Sequence, residues 1–280
     1  MLPDNFHFSQ RILQDYLDCP RRFQLQHLER LSWPAAPSEP YDRYEELRDL
    51  GNRFHHLVHQ HLSGLSSELI LESISRQKLQ TWFIRYLKED FLSTSRAHYS
   101  EITLTSLIDG THFIGKFDFI AQDSQGNFRI IDWKTSSKEP DPGWLKSRAQ
   151  TMLYPALFLA AGRQLFPEQT IAPDKVKMVY WYPEHPDQSI VFPFSEEIHD
   201  RQLKALQKVV RSMQNNSPHQ RDLAKTENTA HCRFCVFRSY CDRGIEAGAI
   251  QDSGPELLEA ESALDEFEQF DFEQIEMIRY

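Results

Sequence analysis

The stretch GKFDFIAQDSQGNFRIIDWKTSS, Gly115–Ser137, restricts most strongly what this chain can fold into. Two strand-like runs flank DSQGN, whose glycine and asparagine mark a tight turn. Each run carries one aspartate among apolar residues, Asp118 in the first and Asp132 in the second, and Lys134 follows two positions later. Strand side chains alternate between faces, so Ile114, Lys116, Asp118 and Ile120 are expected to share one face, and Phe128, Ile130, Asp132 and Lys134 another. A hairpin symmetric about Gln125 sets Asp118 opposite Asp132, with Cβ atoms ~4.5–5.5 Å apart. Like charges so opposed repel, so one is protonated or a cation lies between them. A bulge in the turn would change this register.

Lys134 lies ~6.6–6.8 Å along the strand from Asp132, near such a cation but not on it. There its ammonium can orient a water or steady a charged intermediate. Hard divalent cations such as magnesium favour a few carboxylates plus water, and can activate that water toward a phosphodiester. A surface hairpin with solvated acids is the plain alternative. Glu101, at the start of the preceding strand, is a further candidate for the same site. Gln150 and Tyr154 share a helix face four residues apart, placed to hydrogen-bond a phosphate or to support Lys134.

Around the hairpin the pattern predicts helices over Ser9–Leu31, Tyr44–Leu62, Ser75–Phe91, Trp144–Ala161 and Glu196–Met213. It predicts strands over Tyr99–Leu107, His112–Ala121, Phe128–Thr135, Val176–Tyr182 and Ser189–Phe194. Helices before, between and after strands indicate an α/β sheet domain over residues 1–250, with 251–280 as a separate acidic tail. That tail carries ten acids and one base, so it accounts for −9 of the net charge of −10. A near-neutral body leaves a nucleic-acid partner open. The tail reads as a solvated end, or more sharply as a DNA mimic or a docking peptide. No apolar run is long enough to span a membrane and no secretory leader is evident, so a cytoplasmic protein is expected.

GNRFHHLVHQHL places His55 and His59 on one helix face, with His56 and His61 beside them. The pair suits zinc, although the glutamate of a metalloprotease helix is missing; one imidazole on the carboxylate-bound ion is the other option. HCRFCVFRSYCDRG supplies Cys232, Cys235 and Cys241, and the fourth cysteine is the remote Cys19. Four thiolates fit zinc or a [4Fe–4S] cluster, and spacing does not choose. Either would clip the N-terminal helix to the C-terminal segment.

Taken together, these residues resemble the PD-(D/E)XK nucleases, in particular the RecB-like branch. Gly51 and His55, GKFD with Asp118, the Asp132–Lys134 pair, and Gln150 with Tyr154 follow that order. YLDCPRRF with the three later cysteines is similar to the iron–sulfur staple of the AddB and CRISPR-associated exonuclease members. The resemblance covers about Ser9 to Arg243 and implies a restriction-endonuclease-like central mixed sheet flanked by helices. It implies a [4Fe–4S] cluster on Cys19, Cys232, Cys235 and Cys241, with zinc as the alternative. It also implies Mg2+ or Mn2+ held by His55, Asp118, Asp132 and the carbonyl of Trp133. The activity so implied is cleavage of DNA, single-stranded or at ends, by an exonuclease of DNA repair or CRISPR adaptation. Lys134 then orients the attacking water, Gln150 and Tyr154 position the strand, and Arg21 and Arg22 guide single-stranded DNA. Competing readings are a non-catalytic nucleic-acid-binding or helicase-partner subunit on the same fold, and a zinc hydrolase built on His55 and His59.

Overall fold

The computed structural model describes residues 2, 6–33, 39–138, 141–216 and 222–244; the acidic tail lies outside them. Five strands form one mixed sheet: β1 Ser95–Ile108, β2 Thr111–Asp123, β3 Phe128–Trp133, β4 Val176–Trp181 and β5 Ile190–Pro193. They lie in the order β1-β2-β3-β4-β5; β3 and β4 are parallel and the other pairs antiparallel. The parallel pair needs a crossover, supplied by helices α6 (Pro142–Ser147) and α7 (Ala149–Ala161).

Helices cover both faces of the sheet, so β3 and β4 read as nearly continuous apolar runs. On one face α1 (Gln10–Asp18), α7 and α8 (Glu196–Asn216) bury Leu13, Leu153, Leu157, Leu206 and Val210 with Phe128 and Ile130. On the other, α3 (Glu39–Leu62), α4 (Ser67–Ser73) and α5 (Gln77–Leu87) bury Phe54, Ile70, Trp82 and Phe83 with Phe119, Ile131, Trp133 and Trp181. Among the described residues no helix is long and apolar enough to cross a membrane.

Two expected helices are divided and a third is shortened. The Ser9–Leu31 helix starts as expected, with Ser9 Oγ accepting from Ile12 N–H at 3.2 Å. It breaks at Cys19, whose backbone is extended because Pro20 follows it. The chain resumes as α2 (Pro20–Phe23) and a π-helical turn over Gln24–Leu28. The Ser75–Phe91 helix is α5 alone, and the Trp144–Ala161 helix is cut at Arg148 into α6 and α7.

The hairpin register is the symmetric one. Asp123 Oδ1 accepts from Gln125 N–H (2.8 Å) and Asn127 N–H (2.9 Å), and Gly126 takes the φ of +79° that the turn requires. The ladder runs from Gln122↔Phe128 to Phe119↔Ile131, which puts Asp118 and Asp132 next in line. The expected face of β2 is corrected. Phe117 packs on Tyr154 (ring centroids 4.5 Å) in one core layer, yet Phe119, two residues on, packs on Trp133 (6.0 Å) in the other. Alternation therefore fails at Asp118. Across from it Glu101 adopts φ +53° and falls between the paired Ser100↔Phe119 and Ile102↔Phe117. A non-glycine residue in the left-handed region is a local irregularity of the kind that re-aims side chains.

Candidate active site

The site forms where β2 and β3 part. Asp118 replaces a ladder bond with its side chain, Oδ2 accepting from Trp133 N–H at 2.9 Å. Its Oδ1 lies 3.6 Å from His55 Nδ1, and His55 Nε2 lies 2.9 Å from the carbonyl oxygen of Trp133. Helix α3 brings His55 this close because Gly51, one turn earlier, packs on the loop after β3. A Cβ on Gly51 would stand 2.7 Å from Thr135 Oγ1. Gly51→Ala is thus expected to shift α3 or Thr135 and lower activity by about 10- to 100-fold, measured as single-turnover cleavage.

Potential ligand atoms of His55, Glu101 and Asp118 lie within 4.8 Å of one another. Glu101 joins His55 and Asp118 in this group, and Asp132 lies beside it with Lys134. Lys134 Nζ lies 2.9 Å from Asp132 Oδ2 and donates to Gln150 Oε1 at 3.0 Å, while Gln150 Nε2 donates to Asp132 Oδ1. Lys134 is therefore gripped by both partners, with the ring of Tyr180 5.6 Å away. Asp132 Oδ2 is buried, with the Lys134 ammonium 2.9 Å away.

Burial would raise the Asp118 carboxyl, but the His55 imidazole, the Trp133 N–H and Lys134 outweigh it and hold it below the usual range. Asp132 moves the other way: burial and the Asp118 charge push it up against the pull of Lys134. Glu101 is likewise raised by burial and by Asp118, although Lys116 Nζ lies 2.8 Å from its Oε2. His55 is pulled down by burial and pulled up more strongly by Asp118, reaching about 9. Metal-free protein should therefore draw stability from charged His55. That contribution is complete below about 6.5, the unfolded value, and is lost as pH rises through about 9. In chelator-treated samples, melting temperature between pH 6.5 and 9 is expected to fall less for His55→Gln than for wild type. Holding a cation instead needs the neutral imidazole, so metal uptake displaces this proton.

The Tyr154 hydroxyl donates to the carbonyl of Lys116 at 2.6 Å and braces β2. His59 Nδ1 lies 3.0 Å from Ser100 Oγ, and His61 Nδ1 lies 3.1 Å from Tyr86 OH.

The pattern shared by these residues is matched by a family model over residues 7–242, described as the PD-(D/E)XK nuclease superfamily. The chain belongs to the PD-(D/E)XK nuclease superfamily. No curated relative matches the sequence. Among solved structures, this nuclease is similar to a protein designated SSO0001, at 16% identity over 86% of this chain and 88% of that one, with a TM-score of 0.38. It is also similar to a Eubacterium rectale protein provisionally described as an exonuclease, at 11% identity over 78% and 84%, with a TM-score of 0.46.

Away from the carboxylates, Cys19, Cys232, Cys235 and Cys241 of the nuclease line one small cavity together with Arg22, Lys225, Arg238 and Arg243. None is in a disulfide. Burial pushes the Cys235 thiol up to about 12, with Arg22 opposing and the neighbouring thiols adding to the rise. Among the described residues, no three thiols come within 4.8 Å of one another. Sequence reasoning passed over a buried ionic knot between this cavity and the sheet. Asp15 Oδ1 lies 2.9 Å from Arg22 Nε and its Oδ2 2.8 Å from His27 Nε2, while Asp18 Oδ2 accepts from Arg22 Nη2 at 2.8 Å. Its one sequence signal was two acids, Asp15 and Asp18, on a helix whose neighbours are apolar.

Proposed function

We propose that this chain is a metal-dependent deoxyribonuclease that hydrolyses phosphodiester bonds. Mg2+ or Mn2+ is held by His55, Asp118, Asp132 and the Trp133 carbonyl, with Glu101 added to that set. The observation that carries this reading is the gathering of His55, Glu101 and Asp118 within 4.8 Å, beside an ammonium gripped by Asp132 and Gln150. A divalent cation bound there supplies Lewis acidity to the phosphoryl oxygens and lowers the pKa of a water. Lys134 orients the attacking water and opposes the charge that develops on the phosphate. Gln150 keeps Lys134 in place, and Tyr154 fixes the strand that carries Asp118. A preference for single strands or ends, action as an exonuclease, and work beside a helicase or in CRISPR adaptation are carried over from the family resemblance.

The same resemblance assigns a [4Fe–4S] cluster to the four cysteines. Their convergence on one cavity supports a shared ligand. Anaerobic purification followed by iron, sulfide and zinc analysis decides between the cluster and zinc; stoichiometric zinc without iron rules the cluster out. The nuclease reading is tested with 5′- and 3′-labelled oligonucleotides, single- and double-stranded. Cleavage is expected with Mg2+ or Mn2+ and none with chelator. A wild type inert toward every substrate under both metals refutes it.

A further inference from the structure

We propose that Gln14, on α1, is a positioning residue for Lys134: together with Asp18 it sets the start of α7 and so the side chain of Gln150. The proposal rests on the nuclease reading above. The break between α6 and α7 has no local cause, since RAQ, Arg148–Gln150, contains neither proline nor glycine. Arg148 is extended (φ −73°, ψ 144°) and provides no side-chain cap for the helix it precedes. The first N–H groups of a helix lack internal partners and must find acceptors elsewhere. For Ala149, which is fully buried, that acceptor comes from a different helix: its N–H donates to Gln14 Oε1 at 2.9 Å.

Gln14 is itself only 8% exposed, and its amide cannot turn freely, because Nε2 donates to Asp18 Oδ1 at 2.7 Å. The same Asp18 Oδ1 lies 3.7 Å from Arg148 Nη1, and the Arg148 guanidinium lies over Trp144 at 4.7 Å. Two residues one turn apart on α1 thus hold both residues of the junction. Gln150 comes next in the chain, and its amide binds Asp132 with one end and Lys134 with the other. A helical Arg148 would swing ψ from 144° to about −40° and re-aim the whole of α7. Asp18 is braced in turn by Arg22, and by His231 beside Cys232, whose Nδ1 lies 4.0 Å away. The clamp is therefore tied to the cysteine-lined cavity as well as to the reacting groups.

The test compares full-length wild type, Gln14→Leu and the double variant Gln14→Glu with Asp18→Asn. Leucine keeps the bulk and removes the acceptor, whereas the double variant keeps an acceptor for Ala149 and a single carboxylate, with the asparagine amide donating in place of Gln14 Nε2. Cleavage of a labelled oligonucleotide in Mg2+ is resolved into kcat and KM, and hydrogen exchange is followed at the Ala149 amide. Gln14→Leu is expected to lower kcat by about 10- to 100-fold with KM within about twofold, and the double variant to recover to within about threefold of wild type. Exchange at Ala149 should accelerate in the leucine variant only. The proposal is overturned if Gln14→Leu keeps wild-type kcat, if it loses activity only in proportion to its folded fraction, or if the double variant fails to rescue. A wild type that cleaves nothing defeats the nuclease reading instead. The clamp is then judged by exchange alone, and unchanged protection at Ala149 in the leucine variant overturns it.

Discussion

Replacing Lys134 with methionine is expected to reduce the rate of phosphodiester cleavage by ~10³-fold while DNA is still bound. Methionine keeps the length of the chain and removes the charge. The ammonium is held in advance of substrate: Nζ lies 2.9 Å from Asp132 Oδ2 and 3.0 Å from Gln150 Oε1, and the backbone N–H of Lys134 donates to Trp181 O at 2.8 Å. A charge fixed before the reaction costs no reorganisation in the transition state, which is why its loss falls on the chemical step. A second effect has the same sign. Lys134 is what opposes the upward push of burial and of Asp118 on Asp132, so without it Asp132 moves further toward the neutral acid and becomes a poorer cation ligand. Asp118→Ala is expected to cost at least as much, since it removes the carboxylate shared by His55, the Trp133 N–H and the cation group. Gln150→Ala, which acts through Lys134, should cost ~10-fold less than Lys134→Met. Single-turnover cleavage, with oligonucleotide binding measured in Ca2+, separates chemistry from affinity. Near-wild-type cleavage by both Asp118→Ala and Lys134→Met would end the catalytic assignment.

The largest stability effect is expected at Asp15, far from the reacting groups. Its carboxylate meets Arg22, His27 and, at 3.6 Å, Arg11, and its side chain is only 8% exposed. Burial works to raise its pKa, yet Arg22 together with His27 and Arg11 holds it far below the usual carboxylate range. Asp15→Ala leaves the Arg22 guanidinium, 12% exposed, with Asp18 as its remaining acid partner among the described residues. Removing one member of a buried ion pair costs ~3–5 kcal/mol, because the other charge stays desolvated. For a chain of this size that corresponds to a melting temperature lower by roughly 6–15 °C. The pH dependence has a fixed sign. A depressed carboxyl stabilises the fold above about pH 3.9 and loses that contribution as pH falls toward its folded-state value. Wild type should therefore lose stability in strong acid, and Asp15→Ala less so, when both are followed by thermal melts from pH 5 to 2. A variant that melts with wild type at pH 7 would show the knot to be dispensable.

Local chemistry carried a large share of the fold. The turn at Asp123–Asn127 closes through its own side chain and one glycine, so the register that lines up Asp118 with Asp132 was legible from those five residues. Ser9 as a helix cap, the strand-versus-helix assignments and the Asp132–Lys134 face were legible for the same reason, each depending on residues a few positions apart. The break at Cys19 was missed, although Pro20 marks it.

What depends on distant partners was not. The sequence alone determined the five strands, the helical character of most of the segments around them, the hairpin register and the Asp132–Lys134 face. Tertiary structure decided that β2 turns over at Asp118, because Phe117 and Phe119 are claimed by helices on opposite faces of the sheet. It decided that Glu101 joins His55 and Asp118, through a backbone irregularity that no propensity marks. It also decided that the crossover helix breaks at Arg148, since the acceptor for Ala149 lies 135 residues away on α1. Periodicity and turn chemistry are properties of neighbours along the chain, whereas the desolvated groups of this site find their partners only after the helices have closed on the sheet.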